Sequence, residues 1–532
     1  MKKLLVVVLV LVMALTACQT AAAPTEVAVD ATSAPAAAAS DAQAAPVSAA
    51  PKEITVGLGQ ESFPQRGWAI ETDDGFSMAY IGVLETLVKV DFDGKMMPNL
   101  ADSWSQVDDT TWEFKLHQGI SFTNGEPFNA EAVVKSLNYI KNSPTPPRGI
   151  TATTFASIEA ADEYTVRITT TAFDALLPNR LTSPVTGVLA PSAYTAETGP
   201  VNPFNTGTGP FILTEEVPQQ SLTVVKNPDY WGGPVNLDKA TILLVPDSQI
   251  RAGMLQTGEI DIDVHLPVEQ LPILEADSSV AVMRMQTPRT TTLHMNMSRP
   301  PFDDLKVRQA VSYALERQAI VNATLEGVAS PAIGPISPSE VWVNKDLKGY
   351  PYDPEKAIAL LTEAGYEKGE LTVSLWSYST RANLPLTAIA IQDMLGKVGI
   401  NVEVRIAQYD AMEPDVLSGN YDMFIISRNH VLDSYDPEGF LSSDYSCAGG
   451  FNMDQFCDEQ FDAKLAEARG MTDLDSRYAI YRELQNTLVD EQAVGAYLNY
   501  TEIVNGISTK VLNYKVHPLE RFIMTPELDI AQ

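Results

Sequence analysis

The sequence predicts an exported α/β protein whose folded body holds more than one hydrophobic core. Three observations carry this. A basic and then apolar leader opens the chain. The body, Pro51 to Gln532, is well beyond the ~250–300 residues at which a single core stops growing. Between Thr291 and Ile406, strand patterns alternate with helical ones, as in α/β units.

The leader comes first. Lys2 and Lys3 precede an unbroken apolar run, Leu4 to Leu15, and then Leu15-Thr16-Ala17-Cys18. A positive start, a short apolar segment and a small-residue cut site make a signal peptide. The run is too short to span a bilayer, which takes about 20 apolar residues. Leu-x-Ala-Cys is similar to the bacterial lipobox. That resemblance implies loss of residues 1–17 and lipidation of Cys18, with more than one acyl chain, which holds a protein firmly to a membrane. Over residues 19–50, fifteen of thirty-two positions are alanine, and there is no Lys, Arg or aromatic residue. Such a segment buries too little apolar surface to offset chain entropy. Pro24, Pro35 and Pro46 interrupt any alanine helix. Residues 18–50 are therefore read as a lipidated, disordered tether.

The formal net charge is -32, and loss of Lys2 and Lys3 carries it to -34. So acidic a chain excludes nucleic acid as the partner, where affinity comes from Lys and Arg on phosphates. Of three cysteines, Cys447 and Cys457 stand ten apart in CAGGFNMDQFC. A zinc site asks for four ligands, and this stretch supplies two obvious ones. Export instead predicts a disulfide between them.

The elements of the body follow in order. Glu53–Leu58, Thr111–Leu116 and Thr165–Thr169 read as strands. Val133, Val134, Leu137 and Ile140 place an apolar stripe on a helix over Glu131–Ile140. Asn205-Thr-Gly-Thr-Gly-Pro210 is turn-rich, but it lacks the Gly-Lys-Ser/Thr that completes a phosphate loop. Thr291–Met297 reads as a strand, and Asp303 or Asp304 caps the helix carrying Val307, Ala310, Val311, Ala314 and Leu315. Asp353-Pro354 is a cap with proline at the first helical position, and Gly365 ends that helix. A strand at Leu371–Trp376, a helix at Pro385–Leu395 and a strand at Asn401–Ile406 follow. Helices at Glu459–Ala468 and Leu474–Val489 lead to strands at Ala496–Val504.

Several separated stretches carry a resemblance. They are Pro98-Asn-Leu-Ala-Asp-Ser-Trp104, Trp112 to Gly119, Gly207-Thr-Gly-Pro-Phe211, Asn227-Pro-Asp-Tyr-Trp-Gly232, Phe302 to Val311, Tyr352-Asp-Pro-Glu-Lys-Ala357 and Asp436-Pro-Glu-Gly-Phe-Leu441. As an ordered set spanning the body, the chain resembles the bacterial extracellular solute-binding proteins of family 5, the peptide and nickel binders of ABC importers. The resemblance implies a two-lobed, periplasmic-binding-protein-like α/β fold of class II type. The first lobe would be residues 51–287 plus 498–532, with an extra subdomain at 95–205, and the second 288–497. The implied function is capture of a short peptide between the lobes and delivery to a membrane permease, by a monomer held to the membrane through its lipid. No cofactor, resident metal or catalytic residue is expected.

The resemblance also implies site residues. Peptide binders of the family hold the ligand's α-ammonium with a carboxylate just before Asp-Pro-x-x-Phe-Leu, and Asp433 stands there. The dipeptide branch holds the ligand's carboxylate with an arginine shortly after a Leu-Trp strand end. Here Leu375-Trp376 is followed by Arg381, one residue short of the branch spacing. Trp376 and Tyr378 either line side-chain pockets or belong to the core. Five histidines are present, none in a metal-ligand motif, and His430 reads as a solvated loop residue with a cleft-facing position as the alternative. Other readings are a nickel-complex, oligosaccharide or other solute binder of the same family, a ligand-presenting receptor for a sensor, and a hydrolase. No nucleophile elbow or metal-hydrolase motif supports the last.

Overall fold

The structure, a computed structural model, describes residues 50–532 except 145, 148, 149, 152, 380, 382, 432–434 and 532, and excepting the side chains at 61 and 410. The leader, Cys18, the tether and Asp433 all lie outside the described residues.

Two α/β lobes share one mixed eleven-stranded sheet. Its axis is a pair of long antiparallel crossing strands, Val280–Met295 and Gly495–Ser508. On one side of the pair, Ile262–Asp263, Glu53–Leu58, Lys239–Leu244, Ser221–Lys226 and Phe211–Val217 follow in order. On the other lie Met423–Asn429, Thr372–Tyr378 and Asn401–Ala407. The first set packs into a core running from Ile54 to Leu528. The second packs beneath the helices Leu305–Ala314, Pro354–Glu363 and Asn383–Lys397 in a core from Leu293 to Leu498. A third cluster joins Val90 and Leu519 of the first lobe to Trp342 and Tyr435 of the second.

Local chemistry explains the elements. Asp304 accepts from Lys306 N–H to open its helix, and Asp353 accepts from Lys356 N–H ahead of Pro354. Gly365 has φ +90° just past the end of that helix. The helix from Leu474 ends at Asn486 and closes on a π turn, Thr487–Glu491, so its regular part is shorter than the apolar pattern predicts. An antiparallel four-stranded sheet (Ala101–Asp108, Thr111–Leu116, Thr165–Thr170, Phe155–Asp162) carries the helix Ala130–Lys141 against it. Cys447 and Cys457 are joined in a disulfide.

One strand differs from the sequence reading. The strand expected at Thr291–Met297 begins eleven residues earlier, at Val280. The register slips between Gln286 and Thr290, where Pro288 cannot donate to the ladder. The glycines of the 205–210 loop serve close packing: a Cβ on Gly207 would lie 2.0 Å from the Val83 carbonyl oxygen, and one on Gly209 2.2 Å from that of Gly82.

Candidate functional site

Where the crossing strands pass between lobes, a cavity of about 380 Å³ opens. That volume lies in the range of small-molecule sites. Asp73, Tyr80, His265 and Glu520 line it on the first-lobe side, Arg381 and Asn429 on the second-lobe side, and the crossing strands contribute Arg289, Thr501 and Glu502. A smaller cavity of about 230 Å³ lies beside Glu85. The Glu85 carboxylate there accepts from Thr208, Tyr230 and Trp231, bonds that tie down the Gly-Thr-Gly loop, and burial pushes its pKa up. The larger cavity draws opposite charges from both lobes, and it is the candidate site.

Each wall is built locally. Asp73 opens the helix Asp73–Tyr80, capped by Thr72. The buried Asp74 carboxylate beside it gathers the backbone N–H groups of Gln65, Arg66 and Trp68 at 2.8–2.9 Å, folding the preceding loop onto the helix start. His265 has left-handed backbone, φ +67°. Its N–H donates to Asn505 Oδ1 at 3.1 Å, and its carbonyl accepts from Arg251 Nη2 at 3.1 Å. Its Nε2 lies 2.8 Å from Glu520 Oε2. Glu520 is also left-handed, φ +53°, and its N–H donates to the His517 carbonyl.

On the facing wall, Arg289 follows Pro288 at the register slip and donates through Nη1 to the Ser427 carbonyl at 3.0 Å. Such an irregularity re-aims side chains. Arg381 is exposed, in the loop between the strand Thr372–Tyr378 and the helix Asn383–Lys397. It lines the cavity, as a ligand partner must. Trp376 and Tyr378 are core residues. Trp376 lies under the Arg405 guanidinium, 4.1 Å from the ring centre, and Tyr378 packs on Tyr409 and Phe424. Neither lines the cavity.

Asp433 is outside the described residues, but its flanks are well held. His430 is buried rather than solvated, paired through Nε2 with Glu340 and packed on Phe440. The Asp436 carboxylate accepts from Tyr481 OH at 2.7 Å and from Glu438 N–H at 2.9 Å, and burial raises its pKa to about 6. Among the described residues, no group of three or more His, Cys, Asp or Glu is arranged to hold a metal ion. Sequence reasoning did not single out Asp73, His265, Arg289 or Glu520. Nothing local marks them, since they lie far apart in sequence and meet only in the folded chain.

A sequence profile of the bacterial extracellular solute-binding proteins, family 5 Middle, matches residues 95–452. The chain belongs to this family. The family consists of solute-binding proteins, which hold their ligands rather than convert them. Relatives of this family 5 protein include heme-binding protein A of Haemophilus influenzae, 29% identical over 456 residues, which are 79% of this chain and 82% of that one. The dipeptide-binding protein of Escherichia coli is 26% identical over 458 residues, 80% of this chain and 84% of that one. Among solved structures, a nickel ABC transporter protein from Bacillus halodurans is 28% identical, with a TM-score of 0.79 over 90% of this chain and 100% of that one. A dipeptide binding protein from Pseudoalteromonas in complex with Met-Leu shares the fold, at 24% identity and a TM-score of 0.72 over 90% of this chain and 100% of that one.

Proposed function

We propose that this protein captures a short peptide with a free N-terminus in the interlobe cleft and delivers it to the permease of an ABC importer. The observation that carries the reading is the exposed Arg381 on the cleft wall. A guanidinium there forms a bidentate pair with a free C-terminal carboxylate. Asp433 holds the ligand's ammonium, and peptide main-chain groups pair with cleft backbone, which gives affinity without one required side-chain sequence. The relatives named dipeptide-binding and the Met-Leu complex support peptide as the solute class. The lobes divide at 287/288 and 497/498, with the 95–205 subdomain in the first. Lipidated Cys18 holds the protein outside the cytoplasm, on the outer leaflet of the cell membrane or the periplasmic side of an envelope membrane, and residues 19–50 act as its tether. Mass spectrometry of membrane-extracted protein then shows loss of residues 1–17 and added acyl mass.

Calorimetry with a panel of short peptides tests the central claim. Asp433→Asn costs about 2–5 kcal/mol of binding, the penalty for unpairing a desolvated charge. N-acetylation of the peptide costs a similar amount. If no peptide binds the native protein, the solute is of another kind. If peptides bind but neither change matters, the ammonium contact is wrong.

A further inference from the structure

We infer that the first-lobe wall of the cleft selects peptides carrying an additional positive charge, a lysine or arginine side chain, with Glu520 as the receiving carboxylate and His265 as the residue that positions it. This rests on the peptide reading above. The cavity's charges divide by side: Arg381 stands on the second-lobe wall with Arg289 on the adjoining crossing strand, Asp73 and Glu520 stand on the first-lobe wall, and Glu502 lies on the other crossing strand. A ligand's own carboxylate goes to the arginine wall. The first-lobe wall is then left to meet the rest of the ligand.

Closure of the lobes takes water away from the first-lobe carboxylates. A neutral side chain supplies nothing toward that cost beyond the His265 contact already made. A lysine or arginine replaces the lost water with a charge-assisted hydrogen bond. The Glu520 carboxylate is not free to swing back to solvent. Its Oε2 lies 2.8 Å from His265 Nε2, and its backbone is tied into a turn through the His517 carbonyl. His265 is held in turn by Asn505 and Arg251, and Arg251 is anchored on buried Asp263 at 2.8 Å. Both partners adopt φ values that side chains rarely take, and such conformations persist only where the surroundings enforce them. Each side chain keeps just over a quarter of its surface exposed, so both remain open to a ligand.

The test is calorimetry of the mature protein with Ala-Ala, Ala-Lys, Lys-Ala and Ala-Glu. The native protein binds the lysine peptides at least roughly tenfold more tightly than Ala-Ala, a difference of about 1.4 kcal/mol. Glu520→Gln, which keeps the shape and a hydrogen bond to His265, lowers the affinity for the lysine peptides roughly tenfold more than it lowers that for Ala-Ala. His265→Asn, a residue that tolerates positive φ, lowers the lysine preference in part without moving the melting temperature. Equal binding of all four peptides by the native protein overturns the inference and leaves the peptide reading intact. So does a Glu520→Gln loss shared equally by Ala-Ala. Flat isotherms with every peptide overturn the peptide reading, and the inference falls with it.

Discussion

The phenol of Tyr435 donates a 2.6 Å hydrogen bond to the carbonyl oxygen of Gly94, joining the second lobe to the first. The Tyr435 carbonyl accepts from Asn179 Nδ2 at 2.7 Å, and its ring packs edge-on against Trp342. The residue stands two positions after Asp433, so this contact links the proposed ammonium-binding segment to the opposite lobe.

Tyr435→Phe removes the bond to Gly94 and keeps the ring on Trp342. One such hydrogen bond is worth about 0.5–1.5 kcal/mol. The bond bridges the two lobes, so its loss weakens their contact. Apparent ligand affinity then falls by roughly 2–10-fold, because less of the protein is competent to bind. Small-angle scattering of the ligand-free variant shows a larger radius of gyration than the native protein. Identical scattering and affinity remove Tyr435 from this role.

Arg251→Met leaves the buried Asp263 carboxylate without its cation. Breaking a buried pair from one side costs about 3–5 kcal/mol. Asp263 already has its pKa raised to about 6 by burial. A carboxyl with a raised folded pKa is penalised above that pKa, and the penalty is relieved as pH falls. Denaturant unfolding therefore shows a larger native-minus-variant difference at pH 7.5 than at pH 5. A difference independent of pH contradicts this account.

His517 is buried as one neutral tautomer. Nε2–H donates to the Val90 carbonyl at 3.0 Å, and Nδ1 accepts from the Leu519 and Arg521 N–H groups. Burial lowers its pKa to about 3. A histidine depressed in the fold contributes stability that is full above its unfolded pKa of about 6.5 and is lost as pH falls toward the folded value. The amount at stake is on the order of 5 kcal/mol. Ring-proton NMR of the folded protein shows no titration of His517 above about pH 4. Titration near neutrality contradicts the assignment.

The Cys447–Cys457 bond closes a short loop beside the helix Glu459–Arg469. The chain-entropy model assigns a loop of this length about 2.5–3 kcal/mol. Replacing both cysteines with serine lowers the unfolding free energy by that amount in oxidising buffer, and reductant then has no further effect. An unchanged unfolding midpoint rules out a stabilising role.

Much of the fold was legible in the sequence because it is written in short-range chemistry. The Asp304 and Asp353 caps act within three residues of themselves, and Gly365 acts where it stands. The first crossing strand was read only from Thr291, although it begins at Val280 and runs through Pro288. The structure carries the strand across it with a register slip against Gly495–Ser508, a partner about two hundred residues away.

The sequence by itself determined the α/β class, the need for more than one core, the order of elements and the family, since each follows from periodicity, capping, length or ordered motifs. It also singled out Arg381, but from resemblance and not from any local signal. Only the tertiary structure decided that Arg381 lines the cleft while Trp376 and Tyr378 are sealed in the core. It also turned His430 inward onto Glu340 and brought Asp73, His265, Arg289 and Glu520 around one cavity. The physical reason is range. Backbone propensities and caps act over a few residues, whereas a binding surface depends on how two separately packed cores are joined, which no short stretch of chain encodes.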